Sequence, residues 1–364
     1  MRQSGPPEKG LDTVGQTEKI EDTASHKSGE HTGGAYGRAA YLYSERRGTG
    51  MKAVYIERTG PPEVLIYGEL PEPQPGPNDV LMRVRATSLN RLDIFMRAGS
   101  HGTSITPPQI LGRDIAGEVV QAGSEVQGLR PGDRVVASGS GSYAEYALAP
   151  AARTFLWPES CAFDAGGALP TAGLTAYQML INRARVRPGE DVLVMAAGSG
   201  VGSYAVQIAK AVGARVIATA GTDDKLRKAQ EIGADDVINH YTEDIAARVR
   251  ELTAGQGVDV IVEHVGAAVW QACFRSLKDY GRLVTCGVTA GHRVELHLGQ
   301  VFVRALSIMG VGRGSPEDMQ ALIRLVALGR VRPVIHRRFP LYEAAAAHRL
   351  LERSDFFGKV VLET

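Results

Sequence analysis

The chain has 364 residues, 44% hydrophobic and 22% charged, enough for about two ordinary folded domains. Lys and Arg number 41 against 40 Asp and Glu, and the net charge of +1 excludes a bulk attraction for nucleic acid or an anionic membrane. Three scattered cysteines (Cys161, Cys273, Cys286) make neither a disulfide framework nor a Cys-rich zinc module, and no run of about 18 apolar residues spans a membrane, so a cytoplasmic protein is expected.

Residues 1–50 carry almost no aliphatic side chains and no periodicity, and are expected to be a disordered extension without a catalytic part. They lack the apolar segment of a secretory signal, and Glu8, Asp12, Glu18, Glu21, Asp22 and Glu30 are wrong for a mitochondrial presequence. The pattern changes at Met51. MKAVYIER reads as a strand and PEPQPGPND as a Pro-rich loop. Val80, Met82, Val84 and Ala86 then alternate with Leu81, Arg83, Arg85 and Thr87, the period of a half-buried strand. IAGEVVQAGSEV, GDRVVAS and SYAEYALA add short strands between turn residues, which predicts an antiparallel, barrel-like domain over 51–170.

GALPTAGLTAYQMLINRARV reads as helical and opens a second regime, a domain over 171–319. DVLVMAA, ARVIATA, DDVIN, VDVIVEHVG and GRLVTCG are apolar strands. Helical segments stand between them, among them DDKLRKAQEIG, EDIAARVRELTAG and AVWQACFRSLK. Such alternation implies a doubly wound parallel sheet of Rossmann type, covered on both faces. Residues 320–364, ending in the strand GKVVLE, are expected to return to the first domain. The fold class is α/β, a β-barrel domain plus a Rossmann domain.

The chemistry starts where DVLVMAA runs into AGSGVGSYAVQIAKAVGA. A strand, closely spaced glycines and a helix suit a pyrophosphate, because the backbone can approach it and the helix start offers free N–H groups. Plain strand–helix packing is the alternative, since Ala197 and Ser199 stand where the general fingerprint has glycine.

MKAVYIERTGPPEVL, SLNRLDIFMRAG, GRDIAGEVVQAGSEV, PGDRVV, SYAEYAL, PTAGLTAYQML, VMAAGSGVG, GADDVIN, GRLVTCG and GKVVLE occur in this order. In that order and approximate spacing the chain resembles the medium-chain dehydrogenase/reductase superfamily, and within it the zinc-independent quinone oxidoreductases. The resemblance implies a GroES-like catalytic domain before the Rossmann domain, and a homodimer formed through the Rossmann sheets. It also implies that Thr175, Ser199, Gly200, Val201, Gly202, Gly221, Thr222, Lys225, His240, Gly287 and Val288 bind the cofactor. Zinc relatives need a Cys at Asn90, a Gly-His-Glu at Gly112-Arg113-Asp114, a further ligand near Pro170-Thr171-Ala172-Gly173, and a four-Cys lobe after Asp133-Arg134-Val135-Val136. None is present, so no metal is expected.

Reducing a simple ketone normally needs zinc or a Tyr–Lys pair to hold the developing alkoxide, whereas a quinone or conjugated enone accepts hydride with weaker help. The expected activity is reduction of quinones or α,β-unsaturated carbonyl compounds; a non-catalytic NADP(H)-binding sensor or structural protein, or an alcohol dehydrogenase, are the alternatives. By resemblance SLNRLDIFMRAGSHG (88–102) lies beside the nicotinamide, with Asn90 and Asp93 as the candidate catalytic contacts; capping the short helix is the other use for Asp93. Phe95 stands where such reductases often have Tyr, so the proton is expected from water rather than from Phe95 or His101.

The expected cofactor is NADPH rather than NADH. ARVIATA ends at Ala220 without the Asp or Glu that would hold the adenine ribose hydroxyls, and Gly221, Thr222 and Lys225 follow. Asp223 and Asp224 fit the start of the next helix, where acidic groups are favoured. His240 replaces the tyrosine that the resemblance puts near the adenine, with Tyr241 beside it.

Overall fold

The computed structural model describes residues 50–364; the extension expected over residues 1–50 falls outside them, apart from Gly50, which already belongs to the strand Gly50–Ile56. That strand joins Ile66–Pro71 and Gln109–Ile110 in a three-stranded antiparallel sheet. A seven-stranded sheet completes the first domain. Its central strand, Asp79–Ser88, is flanked by Asp114–Ala122, Tyr146–Pro150 and Lys359–Glu363, all antiparallel to it. The alternation read from the sequence holds at its centre, where Arg83 and Arg85 face solvent and Met82 and Val84 are buried. Leu81 and Thr87 are buried as well, because neighbouring structure covers both ends of the strand.

The third sheet runs Asp236–Asn239, Arg215–Ala220, Asp191–Val194, Val258–Glu263, Leu277–Thr285, Ser307–Gly310, all parallel. Its strands read as continuous apolar runs because both faces are covered. Val192, Val194, Val216, Val260 and Val262 pack on one face with residues of the helices Gly200–Val212 and Pro316–Ala327. Leu193, Ile217, Ile261 and Leu283 pack on the other with Ile245–Leu252 and Ala267–Ser276. Each such fully buried aliphatic side chain is worth about 1.5–3 kcal/mol. The first cluster also holds Ala116, Val136 and Trp157 of the barrel, so one core runs through both sheets.

GALPTAGLTAYQMLINRARV is not one helix. It contains the end of Phe163–Gly167, then Pro170–Tyr177, then a π-helical turn over Gln178–Arg183. Pro170 starts a new helix at its first turn, and a Cβ at Gly167 would come within 2.8 Å of the Ala86 carbonyl oxygen, so the pair Gly166–Gly167 lets the chain pass close to the barrel. Ile335–Pro340 and Lys359–Glu363 pair with each other, and the latter pairs with Asp79–Ser88.

Candidate active site and dinucleotide crevice

The parallel strands Asp191–Val194 and Val258–Glu263 are neighbours whose following helices leave in opposite directions, and the C-terminal ends of such strands form the crevice where open α/β sheets bind ligands. The phosphate turn stands there. Ser199 is the N-cap of the helix Gly200–Val212, and its Oγ accepts the Gly202 amide at 2.9 Å. Gly202 has no room for a side chain, since a Cβ would lie 2.4 Å from the Ala196 carbonyl oxygen. Val201 is half-buried on the first helical turn. A Cβ at Gly200 would meet the Lys359 stem at 2.8 Å, so the turn and the last strand touch.

Lys359 leads into the shelf that carries Asn90 and Asp93. Its buried Nζ donates to the Leu89 carbonyl at 2.8 Å and to Asn90 Oδ1 at 2.7 Å, and lies 3.7 Å from Asp114 Oδ2. Asp114 in turn accepts from Ser88 Oγ and Asn90 Nδ2, both at 2.9 Å, and from the amide and hydroxyl of Thr171. Burial pulls the Lys359 pKa down while Asp114 opposes the shift. Thr175 stands one turn beyond Thr171 and donates its hydroxyl to the Thr171 carbonyl at 2.7 Å.

Asn90 caps the helix Arg91–Ala98, and Asp93 closes a capping box by accepting the Asn90 amide at 2.8 Å. Asp93 also accepts from Tyr143 OH at 3.3 Å, and the same hydroxyl contacts His348 Nε2 at 3.2 Å. Burial pushes the Asp93 carboxyl up to about 6. Phe95 stacks on His101 with ring centroids 3.8 Å apart.

The remaining candidates form two groups along the same crevice. At the tip of Arg215–Ala220, Thr222 caps the helix Asp223–Glu231, with Asp223 and Asp224 in its first turn. Lys225 lays its stem beside Gly198 and donates Nζ to the Ser354 carbonyl at 2.6 Å. The Tyr241 and His240 rings fill the space a Cβ on Gly221 would need. Burial, then the Lys225 charge, holds the His240 pKa down. On the other side, Gly287 and Val288 follow Leu277–Thr285; a Cβ at Gly287 would come 2.2 Å from the His264 carbonyl oxygen, and Val288 is exposed. The fold thus joins Asn90, Asp93 and Thr175 to the turn through Lys359 and Asp114. Lys359, Asp114 and His264 were not among the residues singled out as a site from the sequence.

Among the described residues, no group of three or more His, Cys, Asp or Glu is placed to hold a metal ion, and no helix is long and apolar enough to cross a membrane. A GroES-like barrel, a Rossmann sheet and a glycine turn at its crevice define the class of two-domain dehydrogenases and reductases. The family described as "Alcohol dehydrogenase GroES-like domain" matches residues 76–159, and "Zinc-binding dehydrogenase" matches residues 200–327. Quinone oxidoreductase from Pseudomonas aeruginosa is 34% identical over 322 residues, covering 85% of this chain and 99% of its own. A crystal structure of an NAD-dependent alcohol dehydrogenase is 40% identical with a TM-score of 0.82, covering 86% of this chain and 100% of that one. The structure of Escherichia coli quinone oxidoreductase complexed with NADPH is 29% identical with a TM-score of 0.79, covering 86% and 100%. The chain belongs to the medium-chain dehydrogenase/reductase superfamily, in its quinone oxidoreductase-like branch.

Proposed function

We propose that the protein reduces quinones or α,β-unsaturated carbonyl compounds with NADPH, without zinc. The observation that carries this reading is the Asn90–Asp114–Lys359 cluster. Asp114 is already neutralised by a buried ammonium and filled with hydrogen bonds, and Asn90 is bonded to both partners. That cluster does not fit a zinc ion, which wants three free protein ligands and an open position. Substrates that spread the incoming charge by conjugation are therefore favoured over simple ketones.

The glycine turn and the Gly287–Val288 loop fit a dinucleotide, with the nicotinamide beside Asn90 and the pyrophosphate at Ser199–Gly202. When bound, the nicotinamide supplies the hydride. The chain's own residues orient it: Lys359 and Asp114 fix the Asn90 amide, and Thr175 and the Gly287–Val288 loop wall the crevice, which stays open to the water that delivers the proton. In the test, purified protein consumes NADPH in the presence of a quinone or an enone, retains its activity in chelator and carries no stoichiometric zinc. About one zinc per chain, with activity lost on chelation, overturns the metal-free mechanism.

NADPH is favoured because Arg215–Ala220 ends without a carboxylate and Gly221, Thr222 and Lys225 follow, with Asp223 and Asp224 taken up in the first turn of the helix Asp223–Glu231. The second reading is NADH, favoured by the commitment of Lys225 Nζ to the Ser354 carbonyl. Lys225→Ala is expected to raise KM for NADPH several-fold and leave that for NADH unchanged. Equal effects on both cofactors, or a wild-type preference for NADH, decide for the second reading.

A further inference from the structure

Two side chains meet at the mouth of the phosphate turn, away from the Asn90 shelf. His264 stands one residue past Val258–Glu263, and its Nε2 lies 2.7 Å from Ser199 Oγ. His264 is held from both sides. Its backbone presses on Gly287, and the preceding Glu263 accepts the Gly266 amide at 2.6 Å and the Thr285 hydroxyl at 2.7 Å. The contact with Ser199 therefore ties the pyrophosphate end of the crevice to the loops at its other end.

The Ser199 hydroxyl has a single proton. Its oxygen already accepts the Gly202 amide, which removes one of the free N–H groups that a glycine turn offers to an anion. What the turn presents instead depends on where the Ser199 proton points. With the imidazole proton on Nδ1, Ser199 must donate to Nε2 and shows the crevice only lone pairs. With the proton on Nε2, His264 donates to Oγ and the Ser199 O–H is free to turn outward. Burial holds His264 down at about 4, so the ring is neutral near neutral pH and one of these two arrangements applies. The Ala196 carbonyl would attract a proton on Nδ1, yet no hydrogen bond joins them and Nδ1 is buried without a partner. A buried N–H without a partner is rarer than an unpaired acceptor, which favours the proton on Nε2.

We propose that His264 is a positioning residue for the dinucleotide: it donates to Ser199 and so aims the Ser199 hydroxyl at the pyrophosphate, in place of the Gly202 amide. This rests on the dinucleotide reading above. Both NADPH and NADH carry the pyrophosphate, so both feel the loss of either residue, unlike the loss of Lys225.

The test compares Ser199→Ala, His264→Ala, their double variant and His264→Gln, measuring Kd for NADPH and NADH by titration and Tm by thermal melt. Ser199→Ala and His264→Ala each weaken both dinucleotides about tenfold, the size of one charge-assisted hydrogen bond. The double variant is no weaker than Ser199→Ala, because the two act as one unit. His264→Gln, whose amide can still donate, stays within about threefold of wild type. Kd unchanged in His264→Ala, losses that multiply in the double variant, or a fall in Tm with Kd intact would each overturn the proposal. A wild-type protein that binds neither dinucleotide overturns the underlying reading and takes the proposal with it.

Discussion

Asp93 buries a carboxylate whose Oδ1 has no hydrogen-bond partner, while Oδ2 carries the capping box. Two buried groups in this neighbourhood titrate in opposite senses. The Asp93 pKa is raised to about 6, above its unfolded value, so its contribution to stability is complete below about pH 4 and is lost as pH rises through 6. Burial and then the Arg97 charge depress His348 to about 3, so its contribution is present above about pH 6.5 and is lost as pH falls through 3. Thermal melts across pH should therefore show that Asp93→Asn flattens the decline between about pH 4 and 7, an effect of at most about 3 kcal/mol. His348→Gln should flatten the acid limb instead. A decline between pH 4 and 7 unchanged in Asp93→Asn would show that the carboxylate is not its source. The capping use of Asp93 was open from its place three residues past Asn90. The Tyr143 and His348 contacts were not, because 50 and 205 residues of chain separate the partners in the two hydrogen bonds that meet at Tyr143.

At the scale of elements, the phosphate turn makes the strictest demand on sequence. A Cβ at Gly202 would strike backbone at 2.4 Å and 2.8 Å, where nothing flexible can give way. Gly202→Ala should push the helix Gly200–Val212 off its strand, lower Tm by several degrees and weaken both dinucleotides more than tenfold. A variant that binds and melts as wild type would mean the turn is looser than this contact requires. The turn and most buried strands were legible because runs such as VLV and VIATA have one apolar reading. Ile66–Pro71 was not, since its residues are largely exposed and the run IYGELP carries no apolar alternation. Ser307–Gly310 is four residues long, too short for a period. The helix Pro316–Ala327 had its signal in the capping box Ser315–Asp318 and in Met319, Leu322, Ile323 and Val326, yet it is not among the helical segments read from the sequence.

For the whole molecule, the edge strand Ser307–Gly310 has one sheet neighbour among the described residues, and Leu298, Phe302 and Val303 nearby in the chain are 72%, 84% and 78% exposed. An open edge flanked by exposed apolar side chains invites a second copy. Light scattering should find a homodimer, and Phe302→Asp should shift it towards monomer with Tm changed little; a wild-type monomer removes this expectation. Deleting residues 1–49 should leave Tm and kcat unchanged, since their composition offers little apolar surface to bury. The position of Lys359 in the chain has a consequence for biosynthesis. A growing polypeptide displays Asn90, Asp114 and the phosphate turn long before residue 359 is translated, and Asp114 then lacks the ammonium that balances it. A frameshift or nonsense codon shortly before position 359 would thus leave Asp114 buried without its cation, and such a product is expected to fold poorly.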